Sequence, residues 1–164
     1  RPVMATTAEH LVDELNRACD GHPWHGTSVM QTLEGVDAAA AASRPILHAH
    51  SIWELVLHLT AWTDEVTRRL GGAQAAEPEA GDWPPMPTAA DAGAWQHACD
   101  ALAAAHRRLA AAVSAAAARL DEPVRDARSA AAGVTHRATV SGLLQHDAWH
   151  AGQIALLKKA AARG

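Results

Sequence analysis

The sequence predicts an all-α protein, a four-helix bundle, and three observations carry that prediction. Alanine is abundant while Tyr and Phe are absent and Trp supplies every aromatic ring, a balance that favours helix over sheet. Apolar residues recur at the i, i+3, i+4 spacing of a helix face over four long segments. One long stretch rich in Gly and Pro separates the second segment from the third, as a single crossover in a bundle requires. At 164 residues the chain suits one domain, 1–164, with a core that needs neither disulfides nor structural metal.

The first helix is expected over about 7–19. Thr6 to Glu9 has the S/T-x-x-E form of a capping box, and Leu11, Val12, Leu15 and Cys19 follow at helical spacing. Asp20-Gly21-His22-Pro23 breaks it, because Gly ends helices and the residue before Pro avoids the helical region. A short segment follows, with Val29, Met30, Leu33 and Val36 as its apolar positions, and 37–43 adds a further turn or two before Arg44-Pro45. Ser51 to Glu54 is a second capping box, opening a strongly amphipathic helix. Its stripe runs through Ile52, Leu55, Val56, Leu59, Trp62, Val66 and Leu70, and Gly71-Gly72 closes it.

Residues 71–88 hold Pro78, Pro84, Pro85 and Pro87 besides three glycines, and so form a loop, either a lid carrying Asp82-Trp83-Pro84 or a solvated crossover. From 88 to 120 an Ala-rich helix is expected, bent near Gly93, with Trp95, Cys99, Leu102, Leu109, Val113 and Leu120 on its apolar side. His97 and His106 fall on it, and Arg107-Arg108 reads as a solvated face. Asp121-Glu122-Pro123 ends it, a small-residue linker covers 124–138, and Thr139 is the expected cap of the last helix. Leu143, Leu144, Ala148, Ile154, Ala155 and Leu157 bury that helix, and Lys158-Lys159 suits its C-terminus.

The chemistry is concentrated in the histidines. His146 and His150 stand one turn apart on one face, close enough to share a divalent metal. A catalytic site normally needs a third protein ligand, and residues 151–164 contain no His, Cys, Asp or Glu, so it must come from upstream. His58 lies at the margin of its helix's apolar stripe. Alone it reads as a hydrogen-bonded core histidine; beside the two-His face it becomes the third ligand. Three neutral imidazoles suit Zn²⁺ or Ni²⁺ and leave a position open. His146 to His150 is also close to H-E-x-x-H, but Asp147 replaces the Glu that serves zinc peptidases as base, and a shorter carboxylate and a missing downstream ligand count against a peptidase. Asp147 and His25 are the candidate catalytic assistants. His25 otherwise reads as an exposed loop residue beside a packing Trp24.

Several classes are disfavoured. A net charge of −4 with scattered basic residues gives no nucleic-acid footprint. No apolar run approaches the roughly 18–20 residues of a membrane span. Two cysteines, Cys19 and Cys99, without a signal-peptide pattern fit a reducing cytoplasm, each as a small core residue. The numbering begins at Arg1, and Met4 is a candidate natural start.

With Ser51-Ile52-Trp53-Glu54-Leu55-Val56-Leu57-His58-Leu59 and Gln145-His146-Asp147-Ala148-Trp149-His150-Ala151-Gly152-Gln153-Ile154 in view, the chain resembles the DinB/YfiT-like family of metalloenzymes. The second stretch is similar to that family's His-x-x-x-His-x-Gly-Gln-Ile signature, and Trp24-His25-Gly26 and Asp82-Trp83-Pro84 resemble one branch of it. The resemblance implies an up-down-down-up bundle, often a homodimer, with a divalent metal on His58, His146 and His150. It also implies small-molecule chemistry, since characterised relatives include S-transferases and isomerases that use a low-molecular-weight thiol as cosubstrate. Gly152 is expected to permit close helix packing. Gln153 is expected either to bond near the site, in a cofactor-binding role, or to make a plain interhelical contact. The reaction is left open among a thiol-dependent transferase or isomerase, a metal-dependent hydrolase, and a non-catalytic stress-related module.

Overall fold

A computed structural model describes residues 5–126 and 133–162. Met4 and 127–132 of the expected linker lie outside the described residues. Among these there are six α-helices: α1 (Thr7–Asp20), α2 (Val29–Leu33), α3 (Ala38–Ala42), α4 (Ile52–Leu70), α5 (Ala92–Ala115) and α6 (His136–Ala161). Both expected capping boxes form, Thr6 with Glu9 and Ser51 with Glu54, each satisfying two backbone N–H groups that a helix start leaves without partners. A third, Ser28 with Gln31, opens α2.

Two helices differ from expectation at their ends. α5 begins at Ala92, because the Asp91 side chain accepts the Ala94 N–H at 2.8 Å and makes Asp91 the cap. Gly93 therefore sits in the first turn rather than at a bend, and the helix ends at Ala115, with a 3₁₀ turn at Ala117–Arg119. α6 begins earlier than expected. Thr135, not Thr139, is its cap, accepting from the Ala138 N–H at 3.1 Å, while the Thr139 hydroxyl donates back to the Thr135 carbonyl. Backbone bonds from Val124 to Val134 and from His136 to Glu122 hold this start against the end of the α5 region.

α1 packs on α5 and α6, and α4 packs on the same two, so α1 and α4 stand diagonally across the bundle. Two apolar clusters fill it. One joins α2, α3 and the first half of α4 to Trp95, Leu102, Ile154 and Leu157. The other joins α1 to Val66, Leu70, Leu109, Val113, Val140 and Leu143. Between them, on α5 and α6, come His106, Asp147 and His150, all buried. A polar seam thus divides the core at mid-height, and His58 reaches it from α4.

The 71–88 loop is anchored to α4 by one buried carboxylate. Glu65 takes Arg68, Arg69 and the Ala76 amide, and the two guanidinia return bonds to the Gln74 and Ala76 carbonyls. That places Asp82 and Trp83 against the seam, each with part of its surface still exposed. Gly152 has open space where a Cβ would stand, so the close helix packing expected there is absent within the chain.

Candidate metal centre

α4 and α6 bring His58, His146 and His150 together, with one ligand nitrogen from each lying within 4.8 Å of the others. Their positions follow from helix periodicity. His146 and His150 share a face one turn apart, and His58 follows Leu55 by three residues on the inward side of α4.

Each ring has an acceptor on its Nδ1 side. His58 Nδ1 donates to the Asp82 carbonyl at 2.5 Å, and His150 Nδ1 donates to Gln153 Oε1 at 3.0 Å. His146 Nδ1 faces Asp147 Oδ1 at 3.5 Å, beyond hydrogen-bond geometry, and both atoms are buried and without a hydrogen bond among the described residues. A carbonyl only accepts, so Asp82 and Gln153 place the protons of the neutral His58 and His150 rings on Nδ1 and leave each Nε2 with its lone pair. Burial also holds the His58 and His150 imidazoles below their ordinary pKa, which keeps them neutral and able to ligate near pH 7.

The Nε2 atoms of His58 and His146 stand 2.9 Å apart. With the His58 proton held on Nδ1, the His146 Nε2–H donates to His58 Nε2, and an ion held between the rings would take the place of that one proton. The donor set therefore fits a divalent metal that accepts imidazole nitrogen.

The loop completes the walls. Trp83 is stacked between His50 and His58, at 3.5 and 4.0 Å between ring centroids and within 11° of parallel to each. Asp82 Oδ1 accepts from Trp62 Nε1 at 2.7 Å. The Asp82-Trp83 pair thus fixes the His58 ring by one hydrogen bond and one stacked face.

Behind His146 lies a residue the sequence reading left without a role. His106 Nε2 donates to Asp147 Oδ2 at 2.9 Å, and His106 Nδ1 donates to the Leu102 carbonyl at 3.0 Å. Burial opposes its charge, yet Asp147 and Cys19 outweigh burial and push its pKa up to about 10. Burial likewise pushes the Asp147 carboxyl up, but His106 and His146 hold it below the ordinary range. The pair is a buried imidazolium and carboxylate. A signal for the burial of His106 was present, because Leu102, His106, Leu109 and Val113 continue one stripe at spacings of four, three and four.

The other sequence candidates fall as follows. Asp147 is 1 % exposed and points to His106, away from solvent. Gln153 touches the site through His150. His25 is not brought to the three histidines; it is exposed and lines a groove between α1 and α6 with Trp24, Leu144 and Ala148. Trp24 is fully exposed rather than packing. That groove, about 630 Å³, is the larger hollow, but it contains none of the three histidines. A smaller one, about 420 Å³, opens onto His58 and His146 and is walled by Trp62, Val66 and Leu143. His146, with 27 % of its side chain exposed, is the open edge of the centre.

No curated protein and no solved structure matches the chain significantly. A family model described as the DinB superfamily matches residues 24–154, a span that holds all three histidines, the Asp82-Trp83 wall and the His106–Asp147 pair. The chain belongs to the DinB superfamily.

Proposed function

We propose that this protein is a divalent-metal-dependent enzyme acting on small molecules, a thiol-dependent S-transferase or isomerase. The observation that supports this reading is the convergence of three imidazole nitrogens beside a hollow of small-molecule size. His58, His146 and His150 would hold the ion, Zn²⁺ or Ni²⁺ by donor preference. Bound there, such an ion lowers the pKa of a coordinated thiol, making it a nucleophile at neutral pH. The chain's own residues do the rest. Asp82 and Gln153 orient the His58 and His150 rings, Asp147 lies beside His146, Trp83 covers His58, and Trp62, Val66 and Leu143 exclude water from one side of the electrophile.

Hydrolysis assisted by Asp147 or His25 draws no support from their positions, since one is buried against His106 and the other lines a separate groove. A purely structural metal would call for a closed shell, whereas the described residues offer three ligands and an exposed edge at His146. Two further expectations belong to the same reading. The free Cys19 and Cys99 suit a reducing cytoplasm, and the exposed Trp149 and Leu156 on α6 give a homodimer an apolar face; light scattering at micromolar concentration would show a dimer. No helix among the described residues is long and apolar enough to cross a membrane.

The deciding experiment is to incubate metal-loaded protein with low-molecular-weight thiols and a general electrophile. Turnover well above that of His58→Ala is expected. Equal rates in the two proteins would refute the reading.

A further inference from the structure

The hollow beside His146 has a cation at its other end. Arg69 lies on the face of α4 that also carries His58, Trp62 and Val66, and it lines the same hollow. Its Nε donates to Glu65 Oε1 at 2.8 Å, and its Nη2 donates to the Ala76 carbonyl at 2.9 Å. Those two bonds leave three of the five guanidinium N–H groups, both on Nη1 and one on Nη2, without a protein acceptor among the described residues. Only 17 % of the side chain is exposed, so the remaining N–H groups are poorly hydrated although Glu65 already pairs with Nε.

Nearby negative charge is already engaged. Glu65 is shared with Arg68, which contacts both of its oxygens. The Asp82 carboxylate takes the Trp62 N–H and lies 3.4 Å from His58 Nδ1. The Arg69 guanidinium lies 5.8 Å from the Trp62 ring centroid, and the His146 ring lies 6.4 Å from the same indole. Both the cation and the His146 imidazole thus neighbour the same indole.

We propose that Arg69 is the specificity residue of this centre, receiving the carboxylate of an elongated small substrate whose apolar body lies along Trp62, Val66 and Leu143 and whose reactive end meets His146. The inference rests on the three-histidine centre being the reactive site. The guanidinium's coplanar N–H groups match a carboxylate, and the surrounding apolar wall strengthens that bond by keeping water away. A neutral substrate of the same shape would leave those donors unmet.

The probes are 4-phenylbutyrate and its primary amide, titrated into metal-loaded and metal-free protein and followed by NMR, including the Arg69 Nε–H resonance. The carboxylate is expected to bind about tenfold tighter than the amide or more, in both forms, and to shift that resonance. Arg69→Gln is expected to abolish the preference without altering metal content, and Arg69→Lys to keep part of it. Equal affinity for the two probes, or a preference that survives in Arg69→Gln, would overturn the proposal; a preference seen only with metal would mean that the carboxylate binds the ion instead. If Arg69→Gln does not fold, the wild-type preference and the Arg69 resonance decide. Metal analysis is independent of these outcomes, so failure of the metal centre and failure of the Arg69 assignment are told apart.

Discussion

His106 carries a proton on each ring nitrogen because both of its partners, the Leu102 carbonyl and the Asp147 carboxylate, can only accept. Removing one member of such a pair leaves the other as an uncompensated buried charge. His106→Leu is expected to cost roughly 3–5 kcal/mol in urea denaturation of the metal-free protein, and His106→Leu with Asp147→Leu to recover much of that loss. The pair also has a role a stability measurement does not read. Asp147 Oδ1 lies 3.5 Å from His146 Nδ1, which has no hydrogen bond among the described residues, so Asp147→Asn is expected to weaken metal affinity about 10- to 100-fold in a chelator competition. Unchanged affinity would confine Asp147 to the fold. At this scale the i, i+4 pair of His146 and His150 was legible in the sequence because both residues lie on one helix. The link from His106 to Asp147 was not, because 41 residues separate them and only packing brings α5 against α6.

At the scale of elements, the capping boxes of α1 and α4 could be read directly, since both partners lie within three residues of one another. The start of α6 was misplaced because Thr135 and Thr139 are both plausible caps, and the backbone bonds that favour the former come from a distant segment. The fate of the 71–88 loop was undecidable locally for the same reason, as Glu65 belongs to α4 and its amide partner Ala76 to the loop. Glu65 yields a pH prediction. Burial pushes its carboxyl up, but the Arg68, Ala76 and Arg69 bonds outweigh burial and hold it below the ordinary 4.5. A depressed folded pKa means a contribution fully present above the unfolded value and lost as pH falls through the folded one. Acid titration is expected to release the loop over that window, read as a change in Trp fluorescence near Trp83, with Glu65→Gln showing the released signal already at pH 7. Identical acid profiles in the two proteins would remove Glu65 as the anchor.

For the whole molecule, the all-α prediction followed from composition and periodicity alone, and the structure meets it with six helices among the described residues. The two-cluster core was not visible in the sequence, because each stripe reads as continuous until the facing helices show which polar residues meet. Loading the centre is expected to raise thermal stability, since a ligand bound only by the folded state adds about 4 kcal/mol at a thousandfold excess over its Kd. His58→Ala should lose that gain in a thermal melt while the other helices persist by circular dichroism; an equal gain in the variant would place the metal elsewhere. The polar seam has a consequence for alignment. Alanine-rich faces such as that of α5 are smooth, and two of them can slide by a turn, about 5.4 Å, at little cost in apolar contact. A slip of α6 by one turn would part Asp147 from His106 and strand a carboxylate among leucines. The seam is thus a key that admits one register of the bundle, and the variant with leucine at both positions should keep its helices while its NMR lines broaden as neighbouring registers become populated.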